Sequence, residues 1–151
     1  FLYVIYIASL SAVCADTWGT EIGTMTKTKT YNILNLKPIE QGMSGGISVI
    51  GTLGALAGTV FIALSGISWI EGNAINNLFV IIFAGLFGSM FDSFLGATIQ
   101  ARYTCFTCGK LTEKHLHCGI ETQHSKGLNW LNNDIVNLFA GISGGLIVVL
   151  F

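Results

Sequence analysis

Hydrophobic residues in this chain fall into four long apolar stretches separated by polar segments: Phe1 to Ala15, Ile47 to Ile70, Ala74 to about Thr98, and Ile135 to Phe151. A bilayer core of about 30 Å takes about 20 residues of helix, so each stretch predicts a membrane helix, the first and last being short. The chain opens at Phe1 in the middle of an apolar run rather than at an initiator Met, and it ends as abruptly. The simplest expectation is a fragment whose N-terminal portion is missing. A signal peptide ending near Val13-Cys14-Ala15 is the poorer alternative, because no basic segment precedes it and a membrane protein follows.

Composition narrows the class further. The chain is 52% hydrophobic and 10% charged, with a mean hydropathy of +0.67, which is far from the balance of a soluble domain. The expectation is therefore an all-α, polytopic transmembrane helix bundle, one integral membrane domain over residues 1–151, with a polar loop over 101–134. Lys27, Lys29 and Lys37 lie in the segment before the second stretch, and Arg102, Lys110, Lys114 and Lys126 in the loop before the fourth. Short loops rich in Lys and Arg stay cytoplasmic, which puts both inside and the acidic Glu71 to Asn73 connection outside. The expected location is the cell membrane, as a multi-pass protein. The net charge of −1 points to no nucleic-acid partner.

Small residues at close spacing, such as Gly51 with Ala55, Gly54 with Gly58, Ala84 with Gly88 and Gly141 with Gly145, suit helices that pack backbone to backbone. The polar residues of the same helices ask for more. Ser89, Asp92, Gly96 and Gln100 fall along one face of the third helix, and Asn133, Asn137 and Gly141 along one face of the fourth. A carboxylate in a membrane helix costs ~2.5 to 3.5 kcal/mol on insertion scales, so Asp92 should face a protein interior or a wet cavity. An Asp that merely glues two helices together is the structural alternative.

All but one of the acidic residues, and every basic one, collect on the inside surface. There Asp16 and Glu21 close the first helix amid Gly and Thr, and Lys37-Pro38-Ile39-Glu40-Gln41-Gly42-Met43-Ser44-Gly45-Gly46 opens the second. A glycine-rich turn at a helix start offers unpaired N–H groups and the positive end of the helix dipole, which suits phosphate. Lys37 would add a point charge for the same anion. Alone, a Gly-Gly turn is weak evidence; with Lys37, Asp16 and Asp92 on one side it points to a phosphate-and-metal site.

The last inside loop carries Cys105-Phe106-Thr107-Cys108-Gly109 and then His117-Cys118-Gly119. Two thiols at this spacing with a later Cys and a His make a Cys₃His set for structural Zn²⁺. Cys105, Cys108 and Cys118 are three ligands, and the fourth lies among His117, His115 and His124. Neighbours such as His117 and Cys118 on one ion are sterically demanding. In a reducing cytoplasm a disulfide is the less favoured alternative. Cys14, in the first apolar stretch, is most simply an apolar filler.

The Asp16 segment, the Lys37 to Gly46 segment, Gly88 to Ala97 with Gln100, and Trp130 to Asp134 with Asn137 resemble, in order and spacing, the successive signatures of the phytyl-phosphate kinase family. These are integral membrane proteins related to transmembrane protein 19, and the cysteine loop is similar to that of the prokaryotic members, a likeness that favours His117 beside Cys118 as the fourth ligand. More distantly, the Asp16 to Gly23 and Lys37 to Gly42 motifs are similar to those of dolichol kinase, phytol kinase and phosphatidate cytidylyltransferase. Gln41 departs from them, standing where those relatives read Glu-Gly directly. The resemblance implies a kinase that moves a phosphoryl group from CTP to a prenyl monophosphate at the cytoplasmic face. In that chemistry Asp16, Lys37 and Asp92 would be catalytic, and Mg²⁺ would be held by Asp16 and Asp92 with Asp134 third. Asp134 reads equally well as a helix cap. Gly42, Ser44, Gly45 and Gly46 would hold phosphate; Gln100, Asn133 and Asn137 would donate to phosphate or read the base; Glu21 would assist the metal or hold Lys37. A cytidylyltransferase and a small transporter remain the rival classes.

Overall fold

The computed structural model describes residues 1–151. Four helices dominate: α1 (Leu2–Met25), α2 (Val49–Gly66), α3 (Ala74–Thr98) and α4 (Asn133–Ile147). Short 3-10 turns, Ile67–Trp69 and Val148–Leu150, prolong α2 and α4. Each of the four is long and apolar enough to cross a membrane, and the expected helix bundle is what the chain forms. Large outward residues such as Phe79, Phe83, Leu138 and Leu146 stay exposed, which is how a helix meets lipid rather than water.

The chief departure concerns α1, whose apolar stretch ends at Ala15 and whose closing segment was expected around Asp16 and Glu21; the helix passes through both and runs on to Met25. Its polar last turns remain helical because they are packed. A Cβ on Gly19 would lie 3.2 Å from the Gly51 carbonyl oxygen, and one on Gly23 would lie 3.1 Å from Gly51 Cα. Asp16 and Glu21 are therefore helical residues, fixed in direction by the α1–α2 contact. In place of a hydrophobic drive that lipid does not supply, backbone-to-backbone packing holds such helices.

The same device recurs along α1, which packs against all three other helices. Gly54 faces the Trp18 carbonyl, Gly58 the Cys14 carbonyl, and Gly88 and Gly144 both face Ala12. Away from the polar loops, Val4, Ile7, Ala8, Ala63, Val80, Ile81, Ala84 and Val148 make a dry apolar cluster. The opposite end is left for polar chemistry.

Both polar loops carry short strands, so the molecule is mostly helical rather than helical throughout. In the first, β1 (Thr30–Asn32) lies between β2 (Pro38–Ile39) and β3 (Gly46–Ile47), antiparallel to each. In the second, β4 (Arg102–Thr104) lies between β5 (Leu111–Thr112) and β8 (Gln123–Lys126), while β6 (Leu116–His117) and β7 (Ile120–Glu121) form a separate hairpin. These strands are two to four residues long, too short to leave an alternating apolar signature.

Candidate functional site

The second half of α1, the start of α2, the second half of α3 and the start of α4 enclose a cavity of about 440 Å³. Because α1 and α3 run toward the polar loops and α2 and α4 run away from them, residues far apart in sequence meet at one end of the bundle. Asp16, Glu21, Gly42, Ser44, Gly45, Gly46, Asp92, Asn133 and Asn137, all expected at a site, line it. At 1.5 Å of rise per residue, Asp92 lies roughly 9 Å inside the end of α3, which places the cavity floor within the membrane-spanning helices.

The Asp16 and Asp92 carboxyl groups face each other within hydrogen-bonding reach. Asp92 Oδ1 is buried without a hydrogen-bond partner, and so is Asn137 Oδ1 across the cavity. Buried acceptors are ordinarily satisfied, so unspent ones at a cavity wall call for a bound donor or cation. Two facing carboxyls make the same demand, since like charges this close repel.

The glycine turn is built differently from the expectation. It does not run straight into a helix: β3 intervenes, and α2 starts at Val49 with Ser48 as its cap, Ser48 Oγ accepting the Gly51 N–H at 3.0 Å. Several N–H groups of the turn are already engaged. Met43 donates to the Glu40 carbonyl and Gly46 to the Met43 carbonyl, while Ser44 donates to a carboxylate, Glu113 Oε1, at 3.0 Å. Gly45, at φ +80°, lies so close to α3 that a Cβ would collide with Ala97. Gln41 ties the turn to the end of α1, its Nε2 donating to the Gly23 and Thr26 carbonyls at 2.6 Å each.

Three residues expected at the site stand apart from the cavity lining. Lys37 is exposed beyond the β1–β2 turn, where its backbone closes the turn: its N–H donates to Asn35 Oδ1 and its carbonyl accepts from Asn32. Asp134 is exposed in the first turn of α4, and the cap there is Asn132, whose Oδ1 accepts the Ile135 N–H at 3.1 Å. An acidic side chain there favours the helix dipole and needs no metal. Gln100 lies past the end of α3, is only 2% exposed, and forms the layer behind the cavity, its Nε2 donating to Glu113 Oε2 at 3.1 Å. Glu113 itself lines the cavity and was missed by sequence reasoning. It sits among charged loop residues, and only the folding of β5 back onto β4 brings it to α3.

In the second loop the ligand atoms of Cys105, Cys108, His117 and Cys118 all lie within 4.8 Å of one another. The fourth member is His117, whose Nδ1 stands 3.5 Å from Cys108 Sγ and 3.2 Å from Cys118 Sγ. His115 and His124 pack instead around the Tyr103 ring, at centroid distances of 4.5 and 5.6 Å. The crowding of adjacent His117 and Cys118 is relieved by a left-handed backbone at Cys118, φ 54°. The Cys108 backbone N–H, ahead of the His117 ring, pulls the Cys105 thiol down to about 6, whereas hydrogen bonding to Cys108 pushes Cys118 up to about 11. Forming one thiolate opposes the next, and a bound cation removes that opposition. All four cysteines are free of disulfides, and this cluster could hold a metal such as zinc.

Comparison with known proteins agrees with this picture. The family model described as Integral membrane protein DUF92 matches residues 1–145. Protein PGR of Arabidopsis thaliana is 33% identical over 132 residues, 81% of this chain and 45% of its own length. An uncharacterized membrane protein of Methanocaldococcus jannaschii is 30% identical over 145 residues, 96% of this chain and 49% of its own. Protein VTE6, chloroplastic, of Arabidopsis thaliana is 24% identical over 145 residues, 96% of this chain and 36% of its own. The chain thus spans about half or less of the length of these relatives. No solved structure matches. The matches bear out the resemblance to the prenyl-phosphate kinase family.

Proposed function

Starting from a chain that belongs to the integral membrane family DUF92, we propose that the cavity is the phosphoryl-transfer site of a nucleotide-dependent prenyl-phosphate kinase. The observation that carries the reading is the facing pair Asp16 and Asp92, with Asp92 Oδ1 unspent, at the floor of a polar cavity set into membrane helices. An acceptor with a phosphate head and a hydrocarbon tail needs such a place. Beside the cavity lies an apolar hollow of about 320 Å³, lined by Tyr31, Leu36, Val49 and Leu53, which shares Ile47, Ser48 and Thr52 with the polar one. Head and tail would divide between the two.

The reaction asks little covalent work of the protein. A terminal oxygen of the prenyl monophosphate attacks the γ-phosphorus of the nucleotide, the bond to the β-phosphate oxygen breaks, and the nucleoside diphosphate leaves. Asp16 and Asp92 fit a hard divalent cation such as Mg²⁺, which takes oxygen ligands and commonly only one or two carboxylates. When bound, that ion would offset the charge of the phosphates. Asn133 and Asn137 supply amides for phosphate oxygens or for the base. The Ser44 N–H already holds a carboxylate, so it stands in a place that accepts an anion. The acceptor ionises on its own, which removes the need for a strong general base. In this reading CTP is the donor, the ion Mg²⁺, the zinc at the knuckle structural, and the site cytoplasmic.

Incubating the purified full-length protein in detergent with each labelled nucleoside triphosphate and a panel of prenyl monophosphates tests this. The expected products are a prenyl diphosphate and a nucleoside diphosphate. Release of pyrophosphate with a nucleotide-linked lipid would make the protein a cytidylyltransferase, and absence of any nucleotide-dependent product would overturn the reading.

A further inference from the structure

We propose that the Cys/His knuckle is a metal-locked arm that holds the cavity wall in place through one positioning residue, Glu113. Glu113 lies between the two halves of the cluster, with Cys105 and Cys108 before it and His117 and Cys118 after it. Its two carboxylate oxygens make two separate bonds across the molecule: Oε1 accepts the Ser44 N–H of the first loop at 3.0 Å, and Oε2 accepts from Gln100 Nε2 at the end of α3 at 3.1 Å. One side chain therefore joins the knuckle, the glycine turn and the third helix. Arg102, at the root of the arm, completes the clamp, its Nη2 donating to the Ser44 carbonyl at 2.8 Å and to the Gly96 carbonyl at 3.0 Å.

The root of the arm is tied down, β4 pairing with β8 and Lys126 Nζ donating to the Ala97 carbonyl at 3.4 Å, but the part that carries Glu113 has little else to keep it in position. From Arg102 to Lys126 only Tyr103 and Cys105 are buried, and β5 meets β4 over just two residue pairs. A segment that buries so little cannot hold its shape by hydrophobic contact, and a metal cross-link is the usual substitute. Without the ion the chain between Cys108 and His117 loses its fixed ends, and Glu113 with it. Ser44 then loses the acceptor for its N–H, and Gln100, almost wholly buried and with Oε1 already unpartnered, loses its remaining side-chain bond. The glycine turn would open although the four helices stay packed through α1.

The link between arm and wall is independent of the reaction, while its consequence for turnover rests on the kinase reading, so the two are measured apart. Amide hydrogen exchange in the peptide covering residues 41–47 is followed in the full-length protein in detergent. Three states are compared with the parent: metal removed by chelation or by Cys108→Ser with zinc content checked, Glu113→Ala, and Glu113→Gln. Loss of a bond to a charged acceptor frees an amide by about 10-fold or more, so exchange should rise by that factor in the first two states and stay unchanged in α2 and α3. Glu113→Gln should remain near the parent, because its side-chain oxygen still accepts from Ser44 and Gln100 can turn its unpartnered Oε1 toward the new amide. The proposal falls if metal removal leaves the peptide protected, if Glu113→Ala does so, or if the helices exchange faster to the same degree. A parent protein that binds no nucleotide but shows the expected exchange pattern would sink the kinase reading and leave this one standing.

Discussion

In the proposed reading the chemistry of the cavity rests on Asp92, which faces Asp16 while its Oδ1 has nothing to bond within the protein. Asp92→Asn keeps the shape and removes the charge. Turnover of prenyl monophosphate is expected to fall by at least ~10-fold, the rate equivalent of about 1.4 kcal/mol; a folded variant with near-parental rate would remove Asp92 from the ion site. Lys37 stands at the other extreme, exposed and off the lining. A solvated surface charge contributes roughly 0 to 1 kcal/mol, so Lys37→Ala should leave kcat and the nucleotide KM within about twofold. A larger shift in nucleotide KM alone would show that the β1–β2 turn folds over the nucleotide when it binds. At this scale the sequence was legible where chemistry and burial coincide. Asp16, Asp92, Asn133 and Asn137 are polar residues in or next to apolar runs, and such residues announce themselves. Glu113 and Lys37 are charges among loop charges, and nothing local tells which of the two turns inward.

The elements are held by close approach rather than by large side chains, and that gives a test at the level of helices. Gly88 of α3 faces Ala12 of α1 and the Ala140 carbonyl of α4, so it sits where three helices converge. Gly88→Leu should push them apart; overpacking a tight site costs about 1 to 3 kcal/mol, and the variant should show a lower melting temperature in detergent and poorer recovery as a single species by size exclusion. Gly72, in the Glu71 to Asn73 connection, has nothing near its missing side chain. At φ +93° its replacement by Asn meets no clash and carries only a backbone cost of about 1 to 2 kcal/mol, so the variant should be recovered as a single species as well as the parent and serves as the control for helix separation. The knuckle gives a second test. The purified protein should carry about one zinc per chain, and Cys108→Ser should lose it, because three remaining ligands no longer close a tetrahedral site. Unchanged zinc content in that variant would count against the cluster.

For the whole molecule, the arrangement of the four helices places both lysine-bearing loops at the cavity end and the Glu71 to Asn73 connection at the other. Single cysteines at Lys29 and Lys126, in a background with Cys14, Cys105, Cys108 and Cys118 replaced by Ser, should therefore react with an impermeant maleimide from one face of sealed vesicles, and one at Glu71 from the opposite face. Labelling of Lys29→Cys and Glu71→Cys from the same face would break the topology. By itself the sequence determined that the chain is a membrane helix bundle, where its helices run to within a few residues for α3, that both lysine-bearing loops share one end, and which polar residues are set in or beside apolar runs. Those are properties of composition, length and residue type, set by the thickness and apolarity of a bilayer. The continuation of α1 to Met25, the choice of His117 over His115 and His124, and the arrival of Glu113 beside Ser44 and Gln100 were decided only by tertiary structure. Each depends on a contact between segments distant in sequence: Gly19 on Gly51, a left-handed turn at Cys118 that lets neighbours share one cluster, and β5 folding back on β4. Local pattern records what a residue can do, and only packing decides what it is brought against.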